Sequence, residues 1–345
     1  MSGSGPQIRA SCLAGLAELL IGTYGINIEP LLDEVSIEHG ALVDETRTFP
    51  LHRFAQLLEL ASERTGEECF GMAFADIYPR GASGVLGYLV MSSPDLRTAV
   101  TCLRRFARLQ LEGVDLDLEE QGGLAHLTWN YGTTVMGPRR QLTEFFMALF
   151  SARARQMLGN EWALVSAEFD YREPNHVEKY YEVFSRQLRF EADRNRIVVR
   201  SDILSRANAE ADRGLYTILR KVADRELDEL KATSDLLACL GEKIVEQLPL
   251  EGIDLEGAAA ALQLSTRQLQ SHLKRRGTTF EAELSRVRER LATHYLHDTD
   301  MAMTEIALML GFSELSSFTR AARSWYGMPP TAYREQARRS GGELS

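Results

Sequence analysis

One local pattern occurs twice in the last third of this 345-residue chain, over residues 254–274 and again over residues 304–320. In each copy, a short run of apolar residues is followed by a turn and then by a second run, whose apolar residues stand three or four positions apart. This spacing is typical of amphipathic helices, which bury one face and expose the other. Each copy is therefore predicted to form two short helices joined by a tight turn, a helix-turn-helix.

Capping residues define the helices of the first copy. Asp254 and Ser265 are good N-cap residues, and Gln268 follows Ser265 at the spacing of a capping box. Leu269 and Leu273 stand four residues apart and are expected to face the core. Five other side chains of the second helix are predicted to face solvent, and all five form hydrogen bonds readily: Thr266, Arg267, Gln270, Ser271 and Lys274.

The second copy follows the same rules. Gly311 is expected to end its first helix, because glycine adopts the left-handed conformation that other residues resist at a helix C-terminus. Ser313 is predicted to cap the second helix, and Phe318 is predicted to be buried beneath it. The side chains predicted to face solvent are again polar or basic: Ser316, Ser317, Thr319, Arg320 and Arg323.

A single helix is predicted between the two copies, because apolar residues recur there at helical spacing: Phe280, Leu284, Val287, Leu291 and Tyr295. Two helix-turn-helix units on one chain can place two helices in successive major grooves of DNA, about 34–36 Å apart. Arginine recognises guanine and glutamine recognises adenine through paired hydrogen bonds in that groove. The ten solvent-facing residues are therefore candidate DNA-binding residues, and double-stranded DNA is the predicted partner.

The net charge of −10, taken alone, argues against a nucleic-acid partner. Its distribution weakens this objection, since residues 1–233 hold 26 basic and 34 acidic side chains, whereas residues 264–340 hold 12 basic and 8 acidic ones. Contacts with phosphates depend on local charge rather than on the total. We therefore expect a modest basic face, with dimerisation or a second domain adding to the affinity for DNA.

The N-terminal two thirds of the chain are predicted to form a separate α+β domain. Apolar and polar residues alternate over 114–119 and over 124–129, and Gln121-Gly122-Gly123 between them favours a β-hairpin. A charged helix over 213–230 is predicted either to connect the domains or to form a dimer. The predicted division is an effector and dimerisation domain at 1–231, a linker at 232–235, an all-α DNA-binding domain at 236–337 and a tail at 338–345.

A binding cavity for a small effector is predicted near the glycine-rich segment 81–87. Aromatic residues on adjoining elements would surround a concave, mostly apolar site there. Arg80 is able to pair with a carboxylate of the effector through two hydrogen bonds. The candidate lining residues are Arg80, Tyr88, Trp129 and Tyr131. The alternative for each aromatic residue is an ordinary place in the core.

The sequence shows no pattern typical of catalysis or of a bound cofactor. It contains no Ser/His/Asp set, no zinc-binding pattern and no glycine-rich phosphate loop, so neither an enzyme nor a metal site is predicted. No run of 18 apolar residues is present and the N-terminus lacks a signal-peptide pattern, so no membrane span is expected. Four widely spaced cysteines favour reduced thiols in a cytoplasmic protein.

Three C-terminal segments carry a family resemblance: Glu305–Ser313, Ser317–Arg320 and Gly327–Arg334. With them, residues 236–337 resemble the AraC/XylS family of bacterial transcription regulators. Residues 1–230 resemble, more distantly, the arabinose-binding-like effector domain of the ornithine-regulator-like subgroup, through Gly84–Tyr88, Ser93–Ala99 and Tyr180–Phe190. The chain departs from the family pattern at four positions. Gln263 stands where glycine is usual, and Ser271 stands where arginine is common. Ala302 and Pro329 stand where capping residues are common.

The resemblance implies a transcription regulator, more specifically an activator, which binds DNA as a homodimer and contacts RNA polymerase. Its effector domain would control dimerisation or the posture of the DNA-binding domain, and a ligand shifts that balance only by binding one arrangement more tightly. Two alternatives stay open. Catalytic residues would favour a small-molecule sensor or enzyme domain tethered to DNA, and none is visible in the sequence. A closed N-terminal domain without a cavity would favour a ligand-independent regulator, controlled by abundance or by a protein partner.

Overall fold

The computed structural model describes residues 5–132, 137–249 and 253–342. The chain divides into two units, Gly5–Asp228 and a second unit that begins at Glu229. The first unit contains helices and a sheet, and the described part of the second contains helices joined by turns. The predicted fold class, an α+β domain followed by an all-α domain with two helix-turn-helix units, is confirmed.

A five-stranded sheet lies at the centre of the first unit. The strands of the described residues are β1 Gln7–Arg9, β2 Thr48–Pro50, β3 Val114–Gln121, β4 Leu124–Tyr131, β5 Leu164–Glu168, β6 Leu188–Arg189 and β7 Asn195–Arg200. The sheet has the order β3-β4-β7-β5-β6, in which only β5 and β6 are parallel, and β1 and β2 form a separate antiparallel pair. The predicted hairpin is confirmed as β3–β4, where Gly122 and Gly123 adopt the positive φ values of +61° and +79° that a tight turn requires.

Helices cover one face of this sheet. Those of the first unit are α1 Leu16–Tyr24, α2 Glu29–Glu34, α3 Leu51–Thr65, α4 Phe70–Ile77, α5 Gly84–Met91, α6 Leu96–Phe106, α7 Arg140–Leu158 and α8 Glu178–Val183. Phe145 of α7 stacks on Phe74 of α4 with ring centres 5.0 Å apart. On the same helix, Phe150 meets the buried Trp129 of β4 edge-on at 5.6 Å. The core of the first unit therefore lies between α7 and its neighbours on both sides.

The second unit begins within a long helix. The remaining helices are α9 Arg213–Gln247, α10 Leu255–Ala261, α11 Thr266–Arg275, α12 Phe280–Asp298, α13 Met303–Met309, α14 Leu315–Tyr326 and α15 Pro330–Gly342. The predicted linker at 232–235 is wrong as a break in secondary structure, because α9 continues through it. Residues 231–235 contain neither glycine nor proline, so nothing in their backbone chemistry ends a helix. Likewise, α15 continues through residue 342 into the predicted tail.

Candidate functional site

The first helix-turn-helix is formed by α10 and α11, and side-chain caps fix where each helix begins. Asp254 accepts a 2.7 Å hydrogen bond from the backbone N–H of Gly257. Ser265 Oγ accepts one from Gln268 N at 3.3 Å, and Gln268 Oε1 accepts one from Ser265 N at 2.9 Å. Both predicted caps and the capping box are confirmed, and they satisfy backbone donors that the first turn of a helix leaves unpaired.

The turn between α10 and α11 holds Gln263 in the left-handed region, with φ of +57°. Its counterpart in the second helix-turn-helix, Gly311, has φ of +69°. A Cβ atom on Gly311 would lie 3.0 Å from the carbonyl oxygen of Leu248, whereas the side chain of Gln263 is exposed. Glycine is therefore required at 311 for two reasons, the left-handed backbone and the lack of room for a Cβ atom. Gln263 has room for its side chain, and only its left-handed backbone is strained.

The outer face of α11 carries the five residues predicted from the sequence. Leu269 and Leu273 are 0% and 1% exposed, so they hold the inner face of the helix in the core. The predicted DNA-binding residues are all exposed: Thr266, Arg267, Gln270, Ser271 and Lys274. Their side chains have no hydrogen-bond or ion-pair partner among the described residues, so their polar groups remain available to another molecule.

The second helix-turn-helix is formed by α13 and α14. The predicted cap at Ser313 is wrong, because the N-cap of α14 is Glu314, which makes no side-chain cap hydrogen bond. The carbonyl of Glu314 accepts the first turn's hydrogen bond from Phe318 N, which places the start one residue later than predicted. Phe318 is completely buried, as expected. The start of α14 thus has no side-chain cap, and the buried Phe318 lies in its first turn.

The outer face of α14 is partly occupied by contacts within the helix. Ser316, Arg320 and Arg323 are exposed, and Ser317 and Thr319 are half-buried. Thr319 Oγ1 donates to the carbonyl of Leu315 at 2.8 Å, and the Arg320 guanidinium donates to Ser317 Oγ at 3.3 Å. The two exposed arginines are thus the long side chains that project from this face.

Helix α12 joins the two helix-turn-helix units through their cores, as the sequence predicted. Phe280 and Val287 in its first part are buried in the core beneath α11. Ala292 and Leu296 in its second part are buried in the core beneath α14. One continuous helix therefore contributes to both cores, so it fixes the positions of α11 and α14 relative to each other.

Polar contacts that the sequence did not reveal anchor the second helix-turn-helix to α12. Arg288 donates to the carbonyls of Leu310 and Gly311, at 2.8 and 3.0 Å, and its guanidinium lies 4.5 Å from the centre of the Phe312 ring. Burial lowers the pKa of Arg288. These contacts satisfy carbonyl groups at the end of α13, which a helix C-terminus otherwise leaves without partners.

Helix α14 is also held directly on α12. Trp325 Nε1 donates to Ser285 Oγ at 2.9 Å, and Tyr326 OH donates to the carbonyl of Glu289 at 3.0 Å. The Tyr326 ring stacks on Tyr333 of α15, with ring centres 4.0 Å apart. The only sequence signal for these contacts is a cluster of aromatic residues with hydrogen-bonding groups near the end of α14.

A cavity of about 160 Å³ lies in the first unit, bounded by α5, α6, α7 and the β3–β4 hairpin. Of the four candidate effector-binding residues, Arg80 and Trp129 line it, and Tyr88 and Tyr131 do not. Tyr88 is half exposed, and the ring of Tyr131 lies 5.3 Å from the guanidinium of Arg139. The structure thus brings two of the four residues together at one cavity, and their role in binding an effector stays a prediction.

Arg153 of α7 lines the same cavity and was not predicted from the sequence. Its guanidinium donates to the carbonyl of Tyr78 and, at 3.1 Å, to Gln156 Oε1. Arg80 instead forms an ion pair with Glu210, with N–O distances of 3.0 and 2.7 Å. Burial, and then the like charge of Arg80, lower the pKa of Arg153.

Glu210 belongs to a short segment that connects the cavity wall to α9. Asn208 Nδ2 donates to the carbonyls of Met91 and Ser93, both at 2.7 Å, and Ala209 N donates to the carbonyl of Met157 at 2.9 Å. Met91 and Met157 line the cavity. The residues immediately before α9 are therefore hydrogen-bonded to the cavity wall.

Comparison with known proteins places this arrangement in a family. Residues 25–208 match the arabinose-binding domain of AraC transcription regulator, N-terminal, and residues 258–336 match a helix-turn-helix domain. The chain is 30% identical over 316 residues to the ornithine utilization regulator of Pseudomonas aeruginosa, which covers 92% of this chain and 93% of that protein. The chain belongs to the AraC family of transcription regulators.

Other AraC-family proteins are similar over different lengths. The transcriptional regulator VirS of Mycobacterium tuberculosis is 24% identical over 336 residues, covering 96% of this chain and 97% of that protein. The transcriptional activator NphR of a Rhodococcus species is 33% identical over 114 residues, covering 33% of each chain. The family resemblance predicted from the sequence is confirmed by the family matches.

This AraC-family chain is a transcription regulator with a helix-turn-helix DNA-binding domain and an effector-binding domain, as predicted. No helix in the described ranges is long and apolar enough to cross a membrane. In the same ranges, no group of three or more His, Cys, Asp or Glu side chains is placed to hold a metal ion. The ten DNA-binding residues and the four effector-binding residues remain predictions about individual positions.

Proposed function

We propose that this AraC-family regulator recognises a two-part DNA site, with α11 in one major groove and α14 in the next groove on the same face of the duplex. The observation that carries the proposal is the shared helix α12, which is buried in both cores and presents two polar helices. A single exposed polar helix face needs no binding partner, because water can form hydrogen bonds with its side chains. Two such faces, fixed one to the other, suit successive turns of a duplex.

The proposed contacts divide between bases and phosphates. Arg267 and Gln270 on α11, and Arg320 on α14, are the side chains suited to paired hydrogen bonds with base edges. The remaining candidates are proposed to contact phosphates or adjacent base edges: Thr266, Ser271, Lys274, Ser316, Ser317, Thr319 and Arg323. Phosphate contacts add affinity that falls with salt but discriminate little between sequences.

We further propose that the protein acts as a homodimer, more specifically as an activator that contacts RNA polymerase and responds to a small effector. The activator role is supported by the name of the similar Rhodococcus protein. The effector role is supported by the match to an arabinose-binding domain and by the cavity in it. The cavity also disfavours the ligand-independent alternative, for which we expected a fully packed domain.

Effector control is proposed to act through the segment before α9. An effector in the cavity would change the contacts of Arg80 with Glu210 and the hydrogen bonds that Asn208 and Ala209 make to the cavity wall. That segment leads directly into α9, which continues to Gln247 in the second unit. An effector can shift the equilibrium between two arrangements of this segment only if it binds one arrangement more tightly than the other.

Hydroxyl-radical footprinting on genomic sites, first identified by mapping bound fragments genome-wide, tests the proposed mode of DNA binding. Each protomer is expected to protect two short stretches, about 10–10.5 base pairs apart from centre to centre. The Phe318→Ala variant, which should unfold the second helix-turn-helix, is expected to lose one of the two. A single protected stretch per protomer in the unaltered protein would contradict the proposal.

A further inference from the structure

The cavity of the first unit has an unusual balance of apolar surface and positive charge. Its walls are formed mainly by aliphatic and aromatic side chains, among them Leu103, Trp129 and Phe150. Of the lining residues that the structure describes, only Arg80 and Arg153 carry a charge, and both are cations. A ligand that fills this cavity must therefore be mostly apolar and must suit a guanidinium.

The charges at the cavity do not cancel. Arg80 is paired with the carboxylate of Glu210. Arg153 has no carboxylate within ion-pair distance in the described residues, and the two acceptors it contacts, the Tyr78 carbonyl and the Gln156 amide, are neutral. Arg80, Arg153 and Glu210 thus sum to one positive charge beside an apolar space. A half-buried charge without a counterion is unfavourable, and one added negative charge would offset it.

The size of the cavity limits the ligand further. Its volume is about 160 Å³, and an apolar cavity of about 150 Å³ in a protein core accommodates one benzene molecule. The body of the ligand should therefore be about as large as one six-membered carbon ring. Apart from the two arginines and the hydroxyl groups of Tyr78 and Ser83, the lining side chains are apolar, so a second charged group directed at the rest of the wall would be buried without a partner.

We infer that the effector is a small monocarboxylic acid with an apolar body, whose carboxylate binds the guanidinium of Arg153 while its body packs against Trp129 and Phe150. This inference rests on the proposed effector control and specifies the chemical class of the effector. Arginine binds carboxylates through two parallel N–H···O bonds, which fix orientation as well as add affinity. Arg80 is placed to stabilise the same carboxylate or to exchange Glu210 for it.

Isothermal titration calorimetry on the full-length protein tests the inference with phenylacetate as the probe. Phenylacetamide has the same shape without the charge, and lysine has a carboxylate together with two ammonium groups. Phenylacetate is expected to bind at least tenfold more tightly than phenylacetamide, and lysine is expected not to bind. Equal affinity for acid and amide, or preference for lysine, would overturn the inference.

Two substitutions on α7 locate the site. Arg153→Gln is expected to weaken phenylacetate binding by about tenfold to a hundredfold and to leave phenylacetamide binding unchanged, since it removes a charge-assisted contact. Arg155→Gln, on an exposed residue of the same helix that does not line the cavity, is expected to change neither. Loss of phenylacetate binding in both variants, or in neither, would contradict the role of Arg153. The comparison of acid with amide on unaltered protein stands even if Arg153→Gln does not fold.

Measuring the affinity for DNA with and without each of these ligands separates this inference from the proposed function. Binding of phenylacetate that depends on Arg153 but leaves DNA affinity unchanged would support the ligand class and contradict effector control. Binding of neutral ligands alone, with a change in DNA affinity, would support effector control and overturn the ligand class.

Discussion

Two turns that occupy equivalent places in the two helix-turn-helix units should respond to substitution with opposite signs. Gln263 and Gly311 adopt φ of +57° and +69°. A residue with a side chain loses about 1–2 kcal/mol in the left-handed conformation, whereas glycine costs about 0.4–1 kcal/mol through the greater freedom of the unfolded chain. Gln263→Gly is therefore expected to stabilise the second unit by about 1 kcal/mol.

Gly311→Ala is expected to have the opposite effect. The left-handed cost then applies to alanine, and the added Cβ atom would lie 3.0 Å from the carbonyl oxygen of Leu248. A backbone atom cannot move aside as the end of a flexible side chain can, and crowding of this kind costs about 1–3 kcal/mol. Because alanine also restricts the unfolded chain, which offsets about 0.4–1 kcal/mol, the free energy of unfolding should fall by about 1–5 kcal/mol in total.

Fluorescence can follow the second unit by itself. The chain contains three tryptophans, and only Trp325 lies in the second unit, so replacing Trp129 and Trp162 with phenylalanine leaves one reporter there. Urea titrations of that background and of the two turn variants give the free energies of unfolding. If both variants shift the midpoint in the same direction, or if Gln263→Gly destabilises the unit, left-handed strain is not what distinguishes the two turns.

Three further substitutions test other parts of the account. Phe318→Ala removes a fully buried ring and should lower the stability that Trp325 reports by about 3–5 kcal/mol, while an unchanged midpoint would show that the ring is not core. Trp129→Ala should abolish the response of DNA binding to phenylacetate in an anisotropy titration without changing basal DNA affinity, and a retained response would remove Trp129 from the site. Burial acts to raise the pKa of Glu68, but hydrogen bonds from Asn175 and His176, with the charge of Arg140, outweigh it and lower that pKa from 4.5 to about 2. The ionised Glu68 should stabilise the fold fully above pH 4.5, and this stabilisation should be lost as the pH falls towards 2. The free energy of unfolding of Glu68→Gln should therefore fall less steeply over this pH range than that of the unaltered protein, and parallel curves would contradict this role.

The sequence predicted those parts of the two helix-turn-helix units that depend on local chemistry. Asp254, Ser265 and Gln268 cap helices because of their own side chains, and Gly311 adopts a conformation that its lack of Cβ favours. Such features follow from residue type and spacing within one turn. The ten candidate DNA-binding residues follow from the same local rule, because they are the positions outside the apolar stripe of each helix.

Features that depend on distant partners could not be predicted in this way. Arg288 looks like a solvent-facing position on α12 until α13 folds against it and presents the carbonyls of Leu310 and Gly311. Arg153 likewise gives no signal in the sequence, since its significance comes from the cavity that other elements enclose. The error at residues 232–235 had a different origin, because a run of small polar residues is a weaker helix-ending signal than glycine or proline.

The central claim, that α11 and α14 recognise separate halves of one DNA site, is tested most directly by combining protein and DNA substitutions. Binding of Arg267→Ala and Arg320→Ala would be measured on a set of site variants that each change one base pair, and on random DNA. Each variant should lose about 1–3 kcal/mol of specific binding and become indifferent to the base pair it no longer contacts, with the two positions about one helical turn apart. Equal losses on specific and random DNA, or indifference at the same base pair in both variants, would contradict the claim.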